Sequence, residues 1–452
     1  MIDTSLIRKY NVPGPRYTSY PTVPYWNENP PTESEWKFHV HQTYQETKRQ
    51  GISLYIHLPY CESLCTYCGC STRITVNHDV ELPYIDALLR EWSMYVDTLN
   101  DAPLIQEIHL GGGTPTFFAP AHLEQLIQGI TALGQLSDTA ELSFEAHPNN
   151  TSPVHLRTLY RLGFRRLSLG IQDFDTEVQR TINRIQTYEQ VQQVTELARQ
   201  IGYTSVNYDL IFGLPRQTLE TVRRTIQQTV QLRPDRIAFY SYAHVPWMKP
   251  AQKSFEDHLP TNETKRELYE LGKELLEENG YYEIGMDHFA LPSDALYEAS
   301  QTGYLHRNFM GYTTQATTLM IGLGASAISD TWTAFGQNAK TVEAYLQQIH
   351  SGKLPIYRGH VLTEEDLLLR EHILNLMCQG HTRWDEELHE NYHLNEAIER
   401  LEPMEYDGLV DLGHGFIRVT ERGKPFVRNV CMALDARLWQ KRPTTQLFSA
   451  TV

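Results

Sequence analysis

Between Gly51 and Gly285 two hydrophobic rhythms alternate along the chain. Short continuous runs of apolar, β-prone residues read as buried strands. Longer stretches with apolar residues three and four apart read as amphipathic helices. Ile52 to Leu58 is the first such strand. In Tyr84 to Leu99 the apolar positions 85, 88, 89, 92, 96 and 99 share one helical stripe. The pattern then repeats, with strands over 104–110, 141–146, 166–171, 205–211 and 236–240. The helices between them fall over 122–133, 153–162, 188–201, 219–232 and 265–279. Six β/α units in a row predict an α/β fold with a parallel sheet. Six rather than eight predicts an open, curved, partial barrel, and 282–285 adds a further strand.

The flanks lack this rhythm. Residues 1–35 carry Gly14-Pro-Arg16-Tyr17-Thr-Ser-Tyr20-Pro-Thr22 and further prolines, and show neither helical nor strand periodicity. They form an arm, either draped on the barrel or carrying Arg16 and the tyrosines over its mouth. Residues 305–315 and the glycine-rich 321–328 read as a late loop and a segment that close the site or merely connect. Beyond 355 come helices over 364–376 and 395–402, and a hairpin over 408–420 with a Gly-His-Gly turn. A last helix runs over 423–433. This smaller, mainly helical unit has a winged-helix character. The expected division is therefore an arm over 1–35, a catalytic domain over 36–355 and a C-terminal domain over 356–452.

Charge changes one reading. A net charge of -16 argues against a general nucleic-acid or anionic-membrane surface. The winged-helix-like unit is therefore expected to be a structural flap rather than a DNA reader. No apolar run approaches the ~20 residues of a membrane span. The first residues lack a signal peptide's apolar core, and with clustered cysteines this points to the cytoplasm.

The cysteines carry the chemistry. Four of the six lie between Cys61 and Cys70, directly after the first strand, and the first three are spaced C-x3-C-x2-C. Thiolates on one tight loop converge on one soft metal centre. If Cys61, Cys65 and Cys68 hold three irons of a cubane, the fourth iron stays open to bind a substrate. The competing readings are a closed zinc or iron site with Cys70 as fourth ligand, and disulfides. Cys378 and Cys431 read as buried core thiols.

Other unusual residues gather where the strands end. They are Gly111-Gly112-Gly113-Thr114, Glu145 with His147, Gln172, Asp209, and Tyr240 to His244. Strand C-termini are where a parallel barrel places its site. Each has a plain alternative. The glycines admit a ligand close to the backbone or simply make a turn. Glu145 grips an amine or caps a helix. Asp209 holds ribose hydroxyls or a loop salt bridge. Arg184, taken alone, is a surface charge. Histidines 57, 147, 244 and 288 show no zinc spacing.

The spacing C-x3-C-x-aromatic-C, with Tyr67 as the aromatic, is similar to that of the radical S-adenosylmethionine (SAM) enzymes. Along nearly its whole length the chain resembles one of their families, the oxygen-independent coproporphyrinogen III oxidases. The stretches that carry this are Gly14 to Thr22, Leu54 to Cys70, Gly111 to Thr116, Leu169 to Phe174, Asp209 to Pro215 and Gly285 to Phe289. His306-Arg-Asn-Phe, Gly311 to Gln315 and Gln446-Leu-Phe complete the set.

The resemblance implies a curved (β/α)6 radical SAM barrel, one [4Fe–4S] cluster on Cys61, Cys65 and Cys68, and two SAM molecules. Tyr55, Gly112, Glu145 and Ile328 would contact the first SAM, with Glu145 and Tyr55 nearest the chemistry. Tyr67, Gly113, Thr114, Gln172, Arg184, Asp209 and Ala243 would contact the second. Cys70 would not be a ligand. The implied reaction converts two propionates of coproporphyrinogen III to vinyl groups in haem biosynthesis, giving protoporphyrinogen IX. A 5′-deoxyadenosyl radical takes a hydrogen from the propionate β-carbon; loss of CO2 and one electron leaves the vinyl.

The substrate bears four carboxylates, so an acidic protein needs a local cationic pocket, for which Arg16, His306 and Arg307 are the candidates, with Arg184 beside them. An electron donor of flavodoxin or ferredoxin type and an unidentified acceptor are implied, as is a monomer. Two positions depart from the family pattern: His147 stands where an acidic residue is usual, and Met310 where a glutamine is. The alternative is a haem chaperone of the same superfamily. It typically lacks the counterpart of Cys70 and the Gly14 to Pro21 arm, both present here.

Overall fold

The computed structural model describes residues 4–385, 394–441, 443 and 447–451. Its centre is a 12-stranded sheet. In chain order the strands are β1 (Ile52–Leu58), β2 (Leu104–Gly112), β3 (Gln135–Ala146), β4 (Arg166–Gln172), β5 (Ser205–Phe212) and β6 (Arg236–Ser241). Then come β7 (Tyr282–Gly285), β8 (His288–Ala290), β9 (Leu319–Leu323), β10 (Ile328–Asp330), β11 (Ala334–Asn338) and β12 (Ile356–Val361). The spatial order is β12-β11-β10-β9-β1-β2-β3-β4-β5-β6-β8-β7. Strands β9 and β1 to β6 are mutually parallel, and both flanks are antiparallel. The two end strands do not pair with each other, so the barrel is open, as the count of β/α units predicts.

The expected strands are all present, β1 as an apolar run covered on both faces and β4 and β5 with roughly alternate residues buried. The burial of β1 fits: only Tyr55 is less than fully buried. Helices over 81–99, 120–133, 153–161, 188–201, 219–232 and 262–278 cover the outer face. Local chemistry sets their ends. Thr187 caps the helix Tyr188–Ile201 by accepting from the Gln190 N–H, and Gly202, at φ 116°, ends it.

Two expectations change. The glycine-rich segment at 321–328 is not a loop: Leu319–Leu323 is the strand β9, fully buried and paired parallel with β1. Gly322 hid it, since its weak strand preference serves close packing; a Cβ there would sit 2.4 Å from the Ile328 carbonyl oxygen. The arm also differs. Thr4–Tyr10 is a short helix, and Leu6, Tyr17 and Tyr20 are buried in the core of the C-terminal unit with Leu369, Leu376 and Val430. The tyrosines therefore do not lie over the mouth; their rings are worth more in that apolar core.

The C-terminal unit has helices over 364–379, 394–406 and 427–434 and a three-stranded sheet of 381–383, 416–419 and 410–413. The sheet of the barrel runs past the expected division at residue 355, because β12 pairs with β11. Gln446 of the C-terminal Gln-Leu-Phe stretch lies outside the described residues. Among the described residues no helix is long and apolar enough to cross a membrane.

Candidate active site

The cysteine loop leaves the C-terminal end of β1. It is closed by the Cys68 N–H on the Cys65 carbonyl at 3.1 Å and tethered by the Thr66 N–H on the Ile182 carbonyl at 3.0 Å. Cys61, Cys65 and Cys68 are free thiols, each half-buried. Hydrogen-bond donors surround the sulfurs. The Thr114 hydroxyl lies 3.3 Å from Cys61 Sγ, Arg184 Nη1 reaches Cys65 Sγ at 3.7 Å, and the Cys70 N–H points at Cys68 Sγ at 3.4 Å. Among the described residues no three His, Cys, Asp or Glu side chains are already drawn into a metal cage. The donor set nonetheless fits a thiolate-held cluster: three soft ligands on one loop, with donors placed to stabilise sulfur charge.

Beside the loop runs a row of polar groups on β1, β2 and β3. His57 Nε2 lies 2.9 Å from the Ser71 carbonyl, which can only accept. That nitrogen therefore carries the proton, and Nδ1 accepts from the Tyr55 hydroxyl at 3.0 Å. Burial holds His57 below the usual imidazole range, so it is neutral. The Tyr55 ring stacks on His109, centroids 6.0 Å apart and 15° from parallel. Glu145 accepts the Gly112 N–H at 3.2 Å, and His109 Nε2 lies 3.5 Å from its other oxygen. Burial raises the Glu145 pKa, but the His109 bond and charge and the Gly112 N–H outweigh it and hold the carboxyl below its ordinary range. Glu145 thus carries a negative charge. Gly112, at φ 111°, has no room for a side chain: a Cβ would fall 2.5 Å from the His57 ring.

A second group lies on β4 and β5. Arg184 Nη2 donates to the Gly170 carbonyl at 2.6 Å, while its Nε is buried with no partner among the described residues. Gln172, in left-handed backbone at φ 66°, brings its amide to the same glycine, where a Cβ would meet both Arg184 and Gln172. Asp209 accepts from Ser168 at 3.0 Å and Asn207 at 2.8 Å. Burial, then the nearby Glu145 charge, pushes Asp209 up to about 6. His147 is driven down to about 3 by burial and by Arg184, and is neutral. Ile328 opens β10, two strands from Tyr55, which stands in register with Gly322. Met310 lines the barrel cavity with Glu145, Asp209, Tyr240 and His288.

The candidate substrate cations divide. Arg16 Nη1 pairs with Asp287 at 3.1 Å and its guanidinium lies 5.8 Å from the Tyr240 ring centroid. Arg307 sits over Tyr312 and reaches the Arg16 carbonyl at 3.4 Å, with Nε and Nη1 buried and unpartnered among the described residues. Arg307 thus abuts Arg16, which lies beside Tyr240 of β6. Both Arg307 and His306 lie on the short strand His306–Asn308, which forms a hairpin with Gly311–Thr313, and the alternation along it turns His306 the other way. It is lowered to about 4 by burial and by Arg370, with Asp330 opposing.

Gln252 escaped the sequence reading. It is buried, and its amide NH2 donates to the Tyr67 carbonyl at 2.9 Å and the Ala243 carbonyl at 3.3 Å, joining the cysteine loop to the turn after β6. Nothing in the sequence distinguishes it from a surface glutamine. His109 was equally silent.

An open parallel barrel whose first strand ends in a three-thiol loop, flanked by a glycine ridge and an ionised carboxylate, defines a radical SAM enzyme. Residues 55–229 match the radical SAM superfamily. More narrowly, the chain belongs to the oxygen-independent coproporphyrinogen III oxidase family. It is 38% identical to the Helicobacter pylori member over 445 residues, covering 97% of both chains. It is 39% identical to the Escherichia coli K12 member over 452 residues, covering 97% of this chain and 96% of that one. The solved structure of coproporphyrinogen III oxidase from Escherichia coli, a radical SAM enzyme, superposes with a TM-score of 0.90 at 36% identity, over 96% of this chain and 99% of that one. Family membership brings SAM and a [4Fe–4S] cluster as cofactors.

Proposed function

We propose that this chain converts coproporphyrinogen III to protoporphyrinogen IX by oxygen-independent oxidative decarboxylation, within haem biosynthesis. The observation that carries the reading is the pairing of the three-thiol loop with the Glu145–Gly112 carboxylate beside it, in a chain similar over nearly its full length to oxidases of that name.

Cys61, Cys65 and Cys68 would hold the [4Fe–4S] cluster. With SAM bound, that cofactor pair would supply the radical chemistry that activates a propionate β-carbon of the substrate for hydrogen-atom removal. The rest is positioning and exclusion of water by the chain. Glu145 grips the SAM ammonium group, and Tyr55, Gly112 and Ile328 line the rest of that site. Tyr67, Gly113, Thr114, Gln172, Arg184, Asp209 and Ala243 form a second SAM site. There the unpartnered Nε of Arg184 offers a hydrogen bond to a carboxylate. Arg16 and Arg307 take substrate carboxylates at the mouth, and His306 supports that hairpin from its other face. Each substrate radical gives up CO2 and one electron to an acceptor, leaving a vinyl group. A donor of flavodoxin or ferredoxin type supplies the reducing electron, and the protein works as a cytoplasmic monomer.

The test is an anaerobic assay of the reconstituted protein with SAM, reductant, coproporphyrinogen III and cell extract, read by porphyrin chromatography. Protoporphyrin that vanishes in Cys65→Ser supports the reading. Stoichiometric haem binding with SAM cleavage but no porphyrin change would replace it with the haem-chaperone alternative.

A further inference from the structure

Arg428 lies on the helix Val427–Leu434 of the C-terminal unit and is buried. A buried guanidinium ordinarily meets a carboxylate. Among the described residues, its hydrogen bonds go instead to four backbone carbonyls. Nε donates to Pro15 at 2.9 Å and Nη2 to Gly14; Nη1 donates to Ala450 at 3.0 Å and Thr451 at 3.3 Å. Two of these carbonyls belong to the N-terminal arm and two to the C-terminal tail.

The two segments also bind each other. The Gly14 N–H donates to Ser449 at 3.0 Å, the Thr451 N–H to Val12 at 2.8 Å, and Pro13 and Ala450 form an antiparallel bridge. Asn429, beside Arg428, donates to the Tyr10 carbonyl at 2.8 Å. Gly14 lets the segments pack closely: a Cβ would lie 2.5 Å from Met432 Sδ, which would have to shift. One residue past Arg16, Tyr17 takes φ 47° and its hydroxyl donates to Asp435 at 3.0 Å. Arg16 is thus gripped on both sides by the C-terminal unit, while its own guanidinium pairs with Asp287 at 3.1 Å and lies over Tyr240.

We propose that Arg428 is a positioning residue for the reaction: by stapling arm to tail it holds Arg16 at the barrel mouth, where Arg16 takes a substrate carboxylate. This rests on the reading of Arg16 as a substrate contact. The geometry favours a fork over a point charge, because a guanidinium reaches two strands at once and an ammonium does not.

The experiment compares R428Q, R428K, R16Q and R16Q/R428Q as reconstituted enzymes. Three quantities are read: tryptic cleavage within the arm at Lys9, KM for coproporphyrinogen III, and SAM cleavage without substrate. Arm cleavage and KM in R428Q are expected to rise about tenfold, with cluster content and substrate-free SAM cleavage unchanged. R428K falls between R428Q and the parent, and carries the test if R428Q does not load its cluster. The double variant should show the KM of R16Q alone, as coupled residues do. Unchanged arm cleavage in both R428Q and R428K overturns the staple, and additive KM effects overturn the positioning of Arg16. An unchanged KM in R16Q removes the substrate reading of Arg16, while accelerated cleavage in R428Q would still uphold the staple.

Discussion

Glu145 accepts the backbone N–H of Gly112 at 3.2 Å, across the C-terminal ends of β3 and β2. The bond ties the acid to the glycine ridge and helps keep it ionised against the cost of burial. Replacing Glu145 by glutamine keeps an oxygen for Gly112 and removes only the charge. A hydrogen bond to a charged partner is worth about 1.5–3 kcal/mol, so the Kd for SAM should rise about 10- to 100-fold with iron content unchanged. Isothermal titration under anaerobic conditions measures it, and equal SAM affinity in E145Q would remove the ammonium-gripping role.

The three proposed cluster ligands and their neighbour Cys70 should respond differently to substitution. Cys61→Ser, Cys65→Ser and Cys68→Ser should each lose the cluster's visible absorption and most of the iron after reconstitution. Cys70→Ser should keep both, because what Cys70 gives Cys68 Sγ includes a backbone N–H that serine retains. Iron analysis of the four variants decides it; loss of iron in C70S would make Cys70 a ligand.

Glu91 sits away from the site with no exposure, on the helix Glu81–Leu99. Tyr345, the Gly324 N–H and Asn338 donate to it, yet burial still pushes it up to about 7. Its folded pKa is thus above the unfolded value of about 4.3. The stability it contributes is complete below that value and is lost as pH rises through about 7. The thermal midpoint should therefore fall by a few degrees between pH 5 and 8, and E91Q should flatten that fall, as differential scanning calorimetry would register. An identical slope in both proteins would show that Glu91 is ionised throughout.

Much of this was legible in the sequence, for a physical reason. Strand β1 announces itself as a continuous apolar run, whereas β4 and β5 bury roughly alternate residues and are legible as short β-prone segments between helical stripes. Strand β9 did not, because Gly322 interrupts it and its partner β1 is distant in sequence. The cysteines, Glu145 and the glycines were legible because their residue types are unusual at strand ends. Gln252, His57 and Arg428 act through backbone carbonyls supplied by other parts of the chain. No local pattern encodes such a partner, so these roles emerged only with the fold. His306 and Arg307 looked alike as neighbours in sequence, and the alternation of a strand sends them to opposite faces.

The central claim is that a hydrogen atom passes from a propionate β-carbon of the substrate to the adenosyl group of SAM. The most direct measurement uses coproporphyrinogen III deuterated at those carbons, with mass spectrometry of the 5′-deoxyadenosine formed anaerobically. Deuterium is expected in 5′-deoxyadenosine together with vinyl-bearing product. Unlabelled 5′-deoxyadenosine, with the porphyrinogen recovered intact, would contradict it.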